Sequence, residues 1–263
     1  MYLYIISCFQ YHITPRPIAK GSIFRGSCTG NPPTERGSKA ALKLFESLKD
    51  MLVEEKREDL DKALREVFQS QRRRLKEYLQ LENTGTQIIL CPSGSDAEYL
   101  PVAIARALHQ DKKIVNGVTQ VNEIGAGSAP AAVGKLFSTH APFLGEIGKG
   151  LEVLDGFDGI GGNLLNARDE NGNLNDASVE MKKFQEEQIA LGNFPIVHGV
   201  FGGKTGARDT MMPGSLDGGG LSLGVVDACQ GRFSLKVSIL TRFLFTCFFK
   251  STDIKSNVIH III

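Results

Sequence analysis

The chain has 263 residues, with 30 basic and 29 acidic side chains and a formal net charge of +1. This balance argues against nucleic acid as a partner, because proteins that bind it carry a clear basic excess. No apolar run reaches the length of a membrane-spanning helix, which argues against a membrane protein. The five cysteines lack the C-x-x-C spacing of a metal or redox site, so we expect a reduced cytoplasmic protein without a metal centre.

Residues 1–84 are predicted to form an N-terminal arm that is mainly helical. The segment at 21–37 is rich in Gly, Ser, Thr and Pro, a composition typical of a loop. A helical pattern then extends from residue 38 to about residue 81, with a break near Glu58. The basic run at 71–76 is interpreted as a solvated helix face rather than a binding patch.

Strands alternate with helices in residues 85–235. Strands are predicted at 87–91, 113–123, 194–201 and 221–227, and helices at 96–108, 131–137 and 179–191. This alternation is typical of an α/β protein with a mostly parallel sheet flanked by helices. We therefore expect one α/β domain preceded by a helical arm.

The tail at 236–263 differs from the rest of the chain in composition. All 29 glycines lie at or before Gly231, whereas residues 232–263 hold five Phe and six Ile. We expect this atypical tail to be foreign to the domain and to make few contacts with the sheet. Its phenylalanines Phe243, Phe245, Phe248 and Phe249 are then expected to be exposed and prone to aggregation.

A short polar turn separates the strand at 87–91 from the helix at 96–108, and it contains Ser93, Gly94 and Ser95. Backbone amides, hydroxyl groups and the positive end of the helix dipole meet at such a turn, so it can bind a phosphate. Ser95 and Glu98 also match the S-x-x-E capping box, which starts helices without any ligand. Both interpretations stay open at this point.

Asp227 ends the strand at 221–227, at the edge where open α/β sheets bind ligands. Capping of the next element is the alternative role for such a carboxylate. A strand followed by an S-G-[ST] turn and, much later, by a strand that ends in Asp-Ala resembles the fold-type I pyridoxal-phosphate enzymes, the aspartate aminotransferase superfamily. The resemblance covers about residues 85–232 and implies the large domain of a pyridoxal-phosphate-dependent transferase, incomplete at its C-terminal end.

The resemblance also implies roles for individual residues. Ser93, Gly94 and Ser95 would hold the cofactor phosphate, and Asp227 would pair with the pyridine nitrogen. Ala228 would lie under the ring, and Gln230 would lie near O3′ or the substrate. By position, Glu123 would lie near the ring face. His198 would point into the same cleft, although a histidine on an apolar strand is commonly a core residue.

The family's Schiff-base lysine has no assigned counterpart in this chain. Lys250 and Lys255 follow Asp227 at about the right distance, but the polar turn that precedes the family's lysine is missing. The resemblance implies a homodimeric enzyme that acts on an amino acid or amine, as a transaminase, lyase or decarboxylase. The chain as written is expected to be C-terminally truncated and to lack the covalent link to its cofactor.

Three alternatives stay open beside this resemblance. Gly125 and Gly127 resemble the glycine loop of Rossmann-type enzymes that bind nucleotides or S-adenosylmethionine, with Pro130 in place of the third glycine. A non-catalytic truncated product is the second alternative. Asp169 and its neighbours partly match a calcium loop, and a polar surface hairpin is the preferred interpretation there.

Overall fold

The computed structural model of the protein describes residues 17, 19, 21–22, 32–83, 87–141, 145–153, 155–200, 202–207, 209, 220–227, 246–248 and 258–262. These residues divide into two compact units. One contains the described residues of Met1–Tyr78 and His140–Gly145, and the other contains those of Leu79–Thr139 and Glu146–Ile263.

Two helices dominate the first unit, α1 (Glu35–Val53) and α2 (Arg57–Tyr78). Helix α1 begins earlier than predicted because the Thr34 hydroxyl accepts a hydrogen bond from the Gly37 amide, at 3.1 Å, and so caps the first turn. The break falls before the predicted one, at Glu55, which adopts a positive φ of 55°. Helix α2 contains the predicted basic run and has no buried residue.

The remaining elements follow in chain order. They are β1 (Gln87–Leu90), α3 (Gly94–Ala97), α4 (Tyr99–Leu108), β2 (Ile114–Val118), α5 (Ser128–Ala132), β3 (His140–Ala141), β4 (Gly145–Glu146), β5 (Gly161–Leu164), α6 (Ala177–Ala190), β6 (Phe194–Val200), β7 (Leu223–Asp227), β8 (Thr246–Phe248) and β9 (Val258–Ile262). Pro101 lies in the first turn of α4, where its missing N–H removes no helical hydrogen bond. Among the described helices, none combines the length and the apolar character needed to cross a bilayer.

The main sheet has the strand order β1-β9-β8-β7-β6-β2-β5, and β3 pairs with β4 separately. Strands β5, β2, β6 and β7 form a parallel block of four. Strand β8 is antiparallel to both β7 and β9, whereas β9 is parallel to β1. The expected α/β class, with a parallel sheet flanked by helices, is confirmed at this level.

The tail contributes two strands to this sheet. Strands β8 and β9 lie between β7 and β1, and β9 pairs in register with all four residues of β1. The expectation of few contacts between tail and sheet is therefore wrong for these two segments. The side chains of Phe243, Phe245, Phe248 and Phe249 lie outside the described part of the chain, so their predicted exposure stays a prediction.

The parallel block has two faces, because successive side chains of a strand point to opposite sides. On the α6 face, Val115, Val197 and Val226 pack against Met181 and Phe184 of α6. On the α4 face, the core includes Ile196 and Val225 of the sheet with Val102 and Ala105 of α4, and further members at Ala97, Ile114, Phe157, Phe194 and Leu223. Both faces exclude water from the middle of the block, and this packing holds the strand ends in place.

Candidate functional site

The carboxyl ends of the parallel strands bring several predicted site residues to one edge of the sheet. In the register of the sheet, His198 pairs with Val225 and Val200 pairs with Asp227. Paired residues of neighbouring strands project to the same side, so His198 and Asp227 both lie on the α4 face. The structure thus places these two candidates on adjacent strands, two residues apart in register.

The turn after β1 is built around Ser93, which is 5 % exposed. Its hydroxyl donates to Asp96 Oδ2 at 2.6 Å and accepts from the Asp96 amide at 3.2 Å. Ser93 is therefore the N-cap of α3, and its partner is Asp96. The capping box predicted at Ser95 and Glu98 is wrong by two residues, because Ser93 takes the cap position.

Ser95 has a different environment from Ser93. It is partly buried, and its hydroxyl makes no hydrogen bond to any residue within the described ranges. A Cβ added at Gly127 would lie 2.7 Å from Ser95 Oγ and 2.8 Å from Phe137 Cδ2. The turn after β1 thus lies directly against the loop after β2, and its serine keeps a free hydrogen-bond donor.

Glu98 follows this turn and is 1 % exposed, so its carboxyl group lies inside the domain. Its Oε2 atom lies 3.3 Å from Nδ1 of His198, which is also 1 % exposed. Burial raises the pKa of Glu98 well above its usual value, and the nearby charge of Asp227 raises it further. Burial lowers the pKa of His198 to about 3. Both shifts favour the neutral forms.

Asp227 is 3 % exposed at the end of β7. It lies two residues beyond the register partner of His198, whose Nδ1 atom is 3.3 Å from Glu98 Oε2. Glu98 lies only three residues beyond Ser95, in the same helical segment. Glu98 therefore links the Ser95 end of the site to its Asp227 end.

Glu123 contacts protein groups on the loop after β6. Its carboxylate accepts hydrogen bonds from the Thr205 hydroxyl at 2.7 Å and from the Thr205 amide at 3.1 Å. Arg168 Nε lies 3.7 Å from Glu123 Oε1. A Cβ at Gly203 would lie 2.5 Å from Glu123 Oε2, so only glycine fits there. In this structure Glu123 holds two loops of the carboxyl edge together.

A further polar group at this edge is Asp209, which the sequence analysis did not single out. Its Oδ2 atom accepts hydrogen bonds from the Val200 amide, at 2.6 Å, and from the Thr119 hydroxyl. Gln120 Nε2 donates to Asp209 Oδ1 at 2.8 Å. Gln120 itself has a positive φ of 50°, an unusual conformation for this residue type. Asp209 therefore joins the ends of β2 and β6.

The remaining site predictions have different outcomes. Ala228, Gln230, Lys250 and Lys255 lie outside the described residues, so their roles stay predictions. Within the described ranges, no group of three or more His, Cys, Asp or Glu side chains is placed to hold a metal ion. Asp169, the first residue of the partial calcium match, accepts hydrogen bonds from the amides of Asn171 and Asn173, both at 2.9 Å, which forms a polar hairpin.

The glycines of the Rossmann alternative have a packing explanation. Gly127 accommodates Ser95 and Phe137, and the helix that follows, α5, has only five residues. A dinucleotide loop needs its glycines for the close approach of a pyrophosphate and a longer helix behind it. Nothing in the described geometry favours this alternative over the Ser95 and Asp227 site.

The comparisons with known proteins add no relationship. No family model matches the chain, and neither does any curated protein or solved structure.

Proposed function

We propose that this chain binds pyridoxal 5′-phosphate at the carboxyl edge of its parallel block and acts on an amino acid or amine. The observation that carries the proposal is the series of neighbours from the Ser95 turn through Glu98 and His198 to Asp227. Glu98 Oε2 lies 3.3 Å from His198 Nδ1, and His198 and Asp227 lie on one face of adjacent strands. A hydroxyl donor at one end and a buried carboxylate at the other suit a ligand that has an anionic phosphate and a basic ring nitrogen.

The residues present fit this cofactor. The Ser95 hydroxyl is partly buried and, unlike that of Ser93, does not cap α3, so it could donate to a phosphate oxygen. Asp227 is almost completely buried, and a carboxylate in such surroundings stabilises a cation placed beside it. A protonated pyridine nitrogen would be such a cation.

Each of these residues then has a defined part. Asp227 would keep the proton on the ring nitrogen, and Ser95 would fix the phosphate, so together they would orient the ring. When bound, the cofactor supplies an electron sink for a carbanion formed on the substrate. Gly127 leaves the space that the Ser95 hydroxyl occupies. The packed α4 face keeps water away from Asp227, which strengthens the pairing with the ring nitrogen.

Binding measurements on the full chain test this proposal. We expect pyridoxal 5′-phosphate to bind more tightly than pyridoxal, because only the former can use Ser95. Ser95→Ala should weaken binding of the phosphorylated ligand about tenfold and leave pyridoxal unaffected. Asp227→Asn should weaken both ligands, on the order of 100-fold, because it removes the charge beside the ring nitrogen.

Matched controls come from exposed positions of the same residue types. Ser47→Ala on α1 and Asp158→Asn should leave both affinities unchanged, since both side chains are exposed. Equal affinity of the wild type for the two ligands, or no effect of Asp227→Asn, would refute the proposal.

A further inference from the structure

Three ionisable side chains are buried together beneath the carboxyl edge: Glu98, His198 and Asp227, each at most 3 % exposed. The pair formed by Glu98 and His198 is not part of the proposed cofactor contacts. Glu98 Oε2 and both ring nitrogens of His198 lack a well-formed hydrogen bond within the described chain. Buried polar atoms without partners are costly, so the 3.3 Å approach of Glu98 to His198 Nδ1 calls for a chemical explanation.

Two arrangements of the same protons are conceivable for this cluster. In the first, Glu98 and Asp227 are ionised and His198 is an imidazolium ion, which buries three charges. In the second, the proton lies on Glu98 and His198 is neutral, which leaves Asp227 as the one charge. Both arrangements have the same net charge, so their difference is the cost of burying two additional ions, several kcal/mol for each before their mutual attraction.

Burial and the neighbouring charge decide between the two arrangements. Burial moves the pKa of His198 and the pKa of Glu98 in opposite directions, and each shift favours the neutral form. The charge of Asp227 adds to the shift of Glu98, because two neighbouring carboxylates repel each other. Among the described residues, no other charged side chain contributes to either shift.

We propose that Glu98 donates a hydrogen bond from its protonated carboxyl group to Nδ1 of a neutral His198, so that this pair adds no charge beside Asp227. The inference rests on the proposed function, in which Asp227 faces the ring nitrogen. Glu98 and His198 are positioning residues, since they act through Asp227. An imidazolium beside Asp227 would compete with the ring nitrogen for the Asp227 carboxylate, and a second ionised carboxylate would compete with Asp227 for the ring nitrogen.

The imidazole nitrogens of His198 report this arrangement directly. In the ¹⁵N-labelled full chain without cofactor, we expect an unprotonated Nδ1 and a protonated Nε2 at pH 6 to 8. His198→Asn identifies the signals of His198 among those of the five histidines. Protonation of both nitrogens, or of Nδ1 alone, would overturn the inference.

Glu98→Gln separates the neutral pair from an ion pair, because its amide keeps a neutral donor at the same place. We expect this variant to retain the nitrogen pattern of His198 and the wild-type affinity for pyridoxal 5′-phosphate within about twofold. Glu98→Leu removes the donor and should weaken cofactor binding about tenfold. If Glu98→Gln instead changes the nitrogen pattern of His198, the neutral pair is refuted, whether or not the leucine variant folds.

The two proposals fail in different ways. A wild type with the expected nitrogen pattern but no affinity for pyridoxal 5′-phosphate overturns the proposed function and supports the neutral pair. A wild type that binds the cofactor while His198 is an imidazolium overturns the pair and supports the proposed function.

Discussion

The two faces of the parallel block differ, although the same strands supply both. On the α6 face, Val197 and Val226 pack into an apolar cluster with Phe184. The next residue along each strand, His198 or Asp227, lies on the α4 face and is buried and ionisable. Because side chains alternate along a strand, each site residue directly follows a valine that packs into the core on the opposite face. The α6 face supplies stability without dependence on pH, whereas the carboxyl end of the α4 face ties stability to protonation.

The largest effect that we expect comes from breaking the apolar face. Phe184→Ala should lower the free energy of unfolding by about 3–5 kcal/mol, because it leaves a cavity between α6 and the sheet. The loss should be the same at pH 5.5 and pH 8, which urea unfolding can measure. Val179→Ala is a control on the same helix, since Val179 is 65 % exposed. A loss below about 1 kcal/mol would show that this face does not anchor the block.

His198 and Glu98 should make the stability of the protein depend on pH in opposite directions. Folding lowers the pKa of His198 from 6.5 to about 3, so its stabilising contribution is present above pH 6.5 and is lost as the pH falls. Folding raises the pKa of Glu98 from 4.5, so its contribution is present below pH 4.5 and is lost as the pH rises. In the wild type, the two dependences of stability on pH offset each other between pH 4.5 and pH 6.5.

Single substitutions should expose each dependence in turn. Relative to the wild type, His198→Asn should gain stability as the pH falls below 6.5, and Glu98→Gln should gain stability as the pH rises above 4.5. Each gain should reach at most about 1.4 kcal/mol per pH unit. Urea unfolding from pH 4.5 to 7.5 measures both. Dependences of the same sign in the two variants would contradict the assigned protonation states.

Gly117 tests how tightly the apolar face is packed. A Cβ at this position would lie 2.8 Å from both Met181 Sδ and Phe184 Cε1. Gly117→Ala should therefore cost about 1–3 kcal/mol through overpacking. In a Phe184→Ala background the same substitution should cost less, because the cavity accepts the added methyl group. Additive losses in the double variant would show that Gly117 does not contact Phe184.

The smallest effect concerns the loop held by Glu123. Thr205→Ala removes the hydroxyl that donates to this buried carboxylate, and we expect a loss of about 1 kcal/mol. Thr205→Ser should restore the wild-type value, because it keeps the hydroxyl. Amide hydrogen exchange at residues 203–207 should speed up in the alanine variant alone. Identical exchange in the two variants would show that the hydroxyl does not hold the loop.

Local patterns predicted three of the four strands of the parallel block, β2, β6 and β7, but no strand at the bounds of β5. The continuous, mostly apolar runs of β6 and β7 predicted two buried strands, and the placement of Asp227 at a strand end followed from the length of its run. The sequence offered only a capping role for Glu98, as one of two open interpretations, because S-x-x-E is a common helix start. A different pattern could have identified it, since Glu98, Val102 and Ala105 lie on one stripe of the helix, and a carboxyl group on a buried stripe needs a partner.

Other parts of the site depend on contacts between distant segments. Thr119 and Asp209 are 90 residues apart in sequence and meet only when β2 and β6 pair. The same applies to Glu123 and Thr205, which are separated by 82 residues. No local pattern predicts such contacts, because they result from strand order. The insertion of β8 and β9 between β7 and β1 was missed for the same reason.

The pairing of Asp227 with a cofactor ring nitrogen can be measured directly. Pyridoxal 5′-phosphate labelled with ¹⁵N in the ring is bound to the full chain at neutral pH, and the chemical shift of its nitrogen is recorded. We predict a protonated ring nitrogen in the wild type and in the Asp158→Asn control, and loss of that proton in Asp227→Asn. A ring nitrogen that is unprotonated in the wild type, or that stays protonated in Asp227→Asn, would contradict the assignment of Asp227 and with it the proposed function.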